Sequence, residues 1–539
     1  MTEGHRRDVR TITAWVIGIA VAAGGGVVMA GPSPTGSTII DTLLLVVAVG
    51  TCVYCIASAP WTHRWNHTLR PIITAVVLGI GVQVLARLGN LRYFGASSAI
   101  AIAPILALTL IAIQRRSGQR RLQLWSVFGG LVAAGILALL GFGVAAAAAR
   151  PNLTRGADEA TQALDSLKAG DFDTARQAFQ LAAGLLSGAG DDLAAPWAQP
   201  ARLIPVVAQH RRAAATLART AASVSTTISG VLGEVDFDQL HVVNGTIDIA
   251  AIAALRDPLA RLNEALADLR STVDAVDSDW LVQPIRTRLA SLNDRIDKQQ
   301  VEGERASIAV QLAPDMLGAS GPRVYFIAFT TPVEARGLGG IMGNWAEVTM
   351  DAGHISVTGF GRTADLAVDG DTEKWVRVTT SPHFPDVAAL IASGYPAYSG
   401  HQIDGAFAMD VFTLAALMKL TGPIDLTAIP QTVSADNAAK FLMSDQYSAV
   451  QDRPERIDLL EEVASTTIAR LLASTLPAPP DLAKLLSPFA TQGRLVGWSS
   501  RANEENLFER MHMSGELPVL NGSDGLGVVI DNVGFIRSS

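Results

Sequence analysis

Five apolar runs fall before residue 150, at residues 11–30, 38–57, 71–86, 95–113 and 124–149. A helix needs about 20 largely apolar residues to cross a bilayer, and all but the shorter third run come near that length. The runs predict a multi-pass α-helical membrane region of five transmembrane helices over residues 1–150. Four more runs after the first argue against a cleaved leader. Arginines set the direction. Arg6, Arg7 and Arg10 precede the first run, Arg64 and Arg70 lie in the second connection, and Arg115, Arg116, Arg120 and Arg121 lie in the fourth. The first connection has none and the third only Arg87 and Arg92. Cytoplasmic loops carry the excess of basic residues, which places the N-terminus in the cytoplasm. Five crossings then put everything after about residue 150 outside the cell membrane.

The charge divides in the same place. Residues 1–150 hold 12 arginines, no lysine and three acidic residues, a net +9, against −17 for the remainder of a chain whose total is −8. An acidic external part lacks the basic footprint that nucleic-acid binding needs, so no nucleic-acid partner is expected. Cys52 and Cys55 are the only cysteines. Within an apolar run their spacing reads as packing rather than redox or metal chemistry. The external part therefore depends on an ordinary apolar core.

Residues 151–315 read as an external helical hairpin region. Ala160, Ala163, Leu164 and Leu167 make a stripe at helical spacing, Ala169-Gly170-Asp171 breaks it, and Ala175, Ala178, Phe179 and Ala182 resume it. This looks like one helix hairpin of tetratricopeptide type with no second copy. Leu255, Leu259, Leu262, Leu266, Leu269, Val273 and Val276 alternate steps of four and three, and Ile285, Leu289, Leu292 and Ile296 repeat the pattern after Pro284. Such a seam predicts an antiparallel helical pair.

From residue 322 the period changes and strand-like runs alternate with helices, which predicts an external α/β domain over 322–539. Strands are expected at 324–329, 345–350, 355–360, 403–410, 424–426, 495–498 and 526–530. Helices are expected at 386–393, 411–420, 457–473 and 503–511, with Ser434 capping another at 435–443. The first strand leads into Val333-Glu334-Ala335-Arg336-Gly337-Leu338-Gly339-Gly340. Glu334, Arg336, Gly339 and Gly340 are candidate anion ligands, because a guanidinium fork matches phosphate and glycines let backbone N–H groups approach. The alternative is that Arg336 pairs with Glu334 and staples the loop. Arg362 and Asp365 are candidates for the same site. Asp404 and Asp410 flank a strand and are weak candidate ligands for a hard cation, since such residues more often cap a turn or helix. No H-E-x-x-H, G-x-S-x-G or P-loop motif is present.

The Glu334-Ala335-Arg336 and Gly339-Gly340 loop, the Asp351-Ala352-Gly353-His354 turn, the Ile403-Asp404-Gly405 strand and the Thr421-Gly422-Pro423 stop occur in an order that resembles the bacterial membrane-anchored proteins of domain-of-unknown-function family 4012. The resemblance spans about residues 155–535, with Thr330-Thr331-Pro332 where the family loop has paired asparagines. The segment from Asp531 to Gly534 resembles the start of a final motif, which implies a domain truncated at its C-terminus and an open sheet edge. A more distant likeness of element order links the α/β region to the LytR–CpsA–Psr phosphotransferases. Those attach cell-wall glycopolymers and bind polyprenyl pyrophosphate, but their Arg-x-Asp-Thr and Pro-Arg-Asp signatures are absent here.

Two functional readings follow. In one, the external domain of a cell-envelope membrane protein binds, and transfers, a lipid-linked or polyanionic glycan. Arg336 and Arg362 would grip a pyrophosphate, with Mg²⁺ as the cofactor such a ligand implies. In the other, the chain is a non-catalytic envelope scaffold that binds a protein partner through its helices. Convergence of Arg336, Arg362 and a carboxylate on one pocket favours the first reading, and dispersal favours the second.

Overall fold

The computed structural model describes residues 118–518, apart from 369, 451 and 452, with short pieces at 37–40, 42–43, 114, 524 and 528–530. The chain divides into two compact units, Met1–Leu232 with Leu262–Gln300, and Gly233–Arg261 with Val301–Ser539.

In its described residues the first unit is helical. Helix α1 (Gly118–Lys168) and α2 (Phe172–Ala194) form the expected hairpin. Gly170 turns it with φ of +80°, a region open to glycine, and Asp171 caps α2 by accepting from the Thr174 N–H at 3.1 Å. Ala163, Ala178 and Phe179 pack together with Leu167, Ile228 and Leu232, whereas Leu164, placed in the same stripe by spacing, is exposed. A 3-10 helix (Pro196–Leu203) leads to α3 (Pro205–Glu234). Helices α4 (Arg256–Val276) and α5 (Gln283–Met316) carry the leucine seam. Leu269, Val273 and Val276 meet Ile285, Leu289, Leu292 and Ile296, and Ala213 and Leu217 of α3 join them. The seam thus closes between three helices, not two.

The multi-pass membrane region is not supported. The first four apolar runs lie outside the described residues, save a few positions at 38–43. Among the described residues one helix, Arg121–Lys168, is long and apolar enough to cross a membrane. The fifth run also does not end at Arg150. It continues as α1 through Pro151 into the first arm of the hairpin. Its second half is clothed by protein, since Ala149 is buried with Ala189, Leu193, Ala215 and Ala218, and Phe142 and Ala146 pack beside them. Apolar length marks what can leave water, and a bilayer and a helical neighbour meet that demand equally.

The second unit is built on a five-stranded mixed sheet of order β3-β2-β1-β4-β7. Its strands are β1 (Arg323–Thr331), β2 (Ile341–Asp351), β3 (His354–Arg362), β4 (Gly405–Asp410) and β7 (Leu495–Ser499). Two-residue strands β5 (Ile424–Asp425) and β6 (Thr432–Val433) pair separately. Only β1 and β4 run parallel within the sheet. The β2–β3 turn has positive φ at Ala352 and Gly353, the backbone of a type I′ hairpin. Helix α6 (Phe384–Gly394) covers one sheet face over Phe326, Ala328 and Trp345. Helices α7 (Val411–Thr421) and α8 (Arg453–Leu472) cover the other over Phe329, Ala346 and Phe360.

Helix α9 (Pro479–Thr491), which the periodicity did not indicate, starts at Pro479 and Pro480 and carries Pro488 inside. Proline fits the first helical turn, where its missing N–H is unneeded. Ser434 does not cap residues 435–443. Its N–H instead donates to Asn437 Oδ1 at 2.7 Å, and the helix starts at Ala438. Residues 528–530 are not in a strand, and 531–539 lie outside the described residues. The outer edge of β7 is met by the 511–515 segment, where the Gly497 N–H donates to the Met513 carbonyl at 2.7 Å. Helix α10 (Ala502–Arg510) follows β7.

One buried network ties the sheet at the start of β1. Arg323 is 3% exposed. Its Nε lies 2.9 Å from Asp404 Oδ1 as an ionic contact, not an aligned hydrogen bond, and its Nη2 donates to Glu504 Oε2 at 2.9 Å. The Val324 N–H donates to Asp404 Oδ2, and Ser499 Oγ donates to Glu504. Removing one member of a buried pair costs about 3–5 kcal/mol, because the partner charge stays buried. Arg323→Ala will lower unfolding stability by that order in urea titrations of the native chain.

Glu505, beside this network, is pushed up to about 7, chiefly by burial and further by Glu516 and Glu509, against the Ser499 N–H that donates to it. Folding therefore favours its protonated form. The resulting penalty is absent below the ordinary value of 4.5, grows as pH rises toward about 7, and persists above it. Glu505→Gln should leave stability unchanged at acid pH and raise it by about 1 kcal/mol, after solvent screening, at pH above 7. Thermal melts across pH check this.

Candidate functional site

Strand β1 ends at Pro332, which has no N–H to continue a ladder. The chain then turns through the Glu334–Gly340 loop to β2. Arg336 is 9% exposed. Its Nη1 donates to the Ala335 carbonyl at 2.9 Å, and its Nη2 lies 3.4 Å from Glu334 Oε2. The loop amides also have internal partners. The Gly339 N–H donates to the Arg336 carbonyl at 2.8 Å, and the Leu338 N–H to the Thr379 carbonyl at 3.1 Å. Gly337 is pressed so close to residues 380–382 that a Cβ there would sit 2.0 Å from the Thr380 carbonyl. Gly337 thus serves close packing on the 380–382 segment, Gly340 lies against the end of β1, where a Cβ would stand 2.3 Å from the Thr331 carbonyl, and Gly339 takes a positive φ of +103°. Leu338 joins the apolar cluster of Trp375 and Val378 on the α6 face.

Arg362 ends β3 opposite Asn344 of β2. Its guanidinium contacts Asp458 and lies 3.5 Å from Glu461, both on α8. Asp365 accepts from the Arg362 N–H at 2.9 Å and closes the turn after β3. The Glu334–Arg336 loop and Arg362 therefore share one end of the sheet, but the loop packs on the α6 face and Arg362 points to α8 on the other. Asn344, opposite Phe329 and Arg362 in register, is fully buried, with neither amide atom hydrogen-bonded.

The two cation candidates are occupied structurally. Asp410 accepts from the Phe412 and Thr413 N–H groups at 3.0 and 2.9 Å as the N-cap of α7, and pairs with Arg494 at 2.5 Å. Asp404 belongs to the Arg323 network at the opposite end of β4. Among the described residues no three His, Cys, Asp or Glu side chains gather as a metal centre. A shallow groove lined by His241, Thr246, Asp248, Ala319 and Ala352 involves none of the candidates.

The sequence reading missed Glu347. It lies inward on β2, 6% exposed. Thr358 Oγ1 donates to its Oε1 at 2.6 Å, Tyr395 Oη donates to Oε2 at 2.9 Å, and His401 Nε2 lies 2.7 Å from Oε2. Thr358 reaches it from a bulge in the β2–β3 ladder. Burial alone would raise the carboxyl, but the Thr358, Tyr395 and His401 hydrogen bonds prevail and hold it below its ordinary value. Burial, with the adjacent carboxylate, keeps the Tyr395 phenol protonated. Trp345, Tyr395 and Tyr398 stack edge to face around the group. The signal in the sequence was a carboxylate at an inward position of a strand, which needs partners. The cluster staples the 395–401 segment to the sheet.

The second unit is thus a mixed-sheet α/β domain with helices on both faces. Residues 320–447 match the model of a family described as Protein of unknown function (DUF4012), which supports the DUF4012 family for the segment from β1 through β6. The match does not extend over the helical region or β7. No curated protein and no solved structure matches the chain.

A folded-state carboxyl held low adds stability above its unfolded value, and that stability is lost as pH falls through the folded value. Tyr395→Phe removes one donor to Glu347 and should cost about 1–2 kcal/mol at neutral pH, with the deficit shrinking in acid. Urea unfolding at neutral and acid pH checks both signs.

Proposed function

We propose that this chain is a non-catalytic cell-envelope scaffold, held at a membrane through α1, whose helices engage a protein partner while the sheet domain is structural. The observation that carries this reading is the dispersal of the two candidate arginines. Arg336 is folded into its own loop against Glu334, and Arg362 is engaged by Asp458 and Glu461 on the opposite face. Oxyanion stabilisation needs donors that converge and are free to meet developing charge. Here the candidate carboxylates cap helices and balance arginines.

The glycan-binding reading keeps one observation in its favour. Both arginine-bearing segments lie at one end of the sheet, and Arg362 remains 36% exposed. A lipid-linked pyrophosphate with Mg²⁺ would have to displace the Asp458 and Glu461 contacts to use it.

A titration decides between them. Full-length protein in detergent, mixed with a polyprenyl pyrophosphate analogue and Mg²⁺, is expected to give no saturable binding, and Arg336→Ala and Arg362→Ala should behave as the native chain does. Saturable binding lost in either variant would transfer the function to the glycan ligand.

A further inference from the structure

Helix α1 changes character at Gly141. Before it, apolar side chains are exposed around the helix, among them Leu122, Val127, Leu131, Ile136 and Leu137. Around and after it one face is covered by neighbouring helices, with Ala138 buried and Ala145 and Ala149 fully buried, while Val144 stays 61% exposed. The change falls where the 3-10 helix Pro196–Leu203 meets α1. A Cβ on Gly141 would stand 2.2 Å from the Trp197 carbonyl, so the turn lies directly against the α1 backbone. From Arg121 to Gly141 the helix rises about 30 Å at ~1.5 Å per residue, which is the thickness of a bilayer hydrocarbon core.

The turn carries its own signature. Trp197 is 55% exposed and Leu203 64% exposed, and Arg202 is exposed between them in the folded turn. Large apolar side chains are rarely left in water together without a partner surface. Tryptophan concentrates at the membrane–water interface, and arginine there keeps its charged head at the phosphates while its stem lies along apolar surface. Trp125, also partly exposed, lies about 24 Å down the same helix, near the other end of the apolar length. Along the helix the two tryptophans thus stand about 24 Å apart, inside the about 30 Å of a hydrocarbon core.

We propose that the Pro196–Leu203 turn is an interfacial membrane anchor. It inserts Trp197 and Leu203 into the lipid interface beside α1, with Arg202 at the headgroup phosphates. The bilayer boundary then lies at Gly141, about eight residues before the end of the apolar run. This rests on the reading that α1 crosses the membrane, and adds a second attachment that limits how the hairpin tilts on its stalk.

The test is the depth of spin labels in the full chain, with Cys52→Ser and Cys55→Ser as background, reconstituted in phosphatidylethanolamine and phosphatidylglycerol vesicles. Single substitutions Leu131→Cys, Trp197→Cys, Leu203→Cys and Ser187→Cys are labelled, and collision with oxygen is compared with collision with a water-soluble nickel chelate. Labels at 131, 197 and 203 should favour oxygen, and the label at 187, on α2, should favour nickel. If 131 reports lipid while 197 and 203 match 187, the anchor is overturned and the crossing by α1 stands. If 131 itself reports water, the crossing and the anchor both fall.

Discussion

The sheet domain depends on a guanidinium buried at the start of its first strand. Arg323 meets Asp404, 81 residues on, and Glu504, a further hundred residues on. A buried cation is tolerated only with partners in place, so the three chain segments that supply them must arrive together. The consequences spread along the backbone. Asp404 also accepts from the Val324 N–H and returns its own N–H to the Val324 carbonyl, which sets β1 beside β4 in parallel register. Ser499, hydrogen-bonded to Glu504, sets β7 on the other side of β4. Local pattern could give each strand, but this ion network aligns β1, β4 and β7.

The same logic governs the other end of the sheet. Here an isolated charge would be free to meet a ligand, and the fold leaves few such charges. Asp410 begins α7 and balances Arg494, while Arg362 bridges to α8. Nearer the Arg323 end, Glu347 is enclosed by three donors. Each is placed where a segment distant in sequence must be fastened to the sheet. A protein of this kind spends its buried polar chemistry on alignment, which is why its charged motifs resemble a binding site in one dimension and disperse in three.

The helical unit shows how apolar length divides between two environments. Residues 124–149 form one apolar run, but the alanines of its second half accept helix neighbours that bulkier side chains would exclude, while leucines and valines dominate the exposed first half. Gly141 marks the passage, because only a residue without Cβ admits the Trp197 carbonyl there. Through Pro151, α1 carries the apolar stretch and the first arm of the hairpin in one continuous helix.

Periodicity alone fixed most elements of the sheet domain. Strands β1 to β4 and β7, helices α6, α7 and α10, and the seam of Leu269, Val273, Ile285 and Leu289 follow from spacings of two or of three and four, which are properties of local backbone geometry. The sequence also singled out the Glu334–Arg336 loop and Arg362. It could not say that they fall on opposite faces of the sheet, because facing depends on the bulge at Gly343 and on where β3 pairs. An inward carboxylate at Glu347 was legible, but not its partners Tyr395 and His401, which come from a segment distant in sequence. Which apolar surface meets a helix, and which charge meets a charge, is decided by contacts between residues far apart in the chain. Only the tertiary structure brings those together, because packing and ion pairing are satisfied in space and leave no period in the sequence.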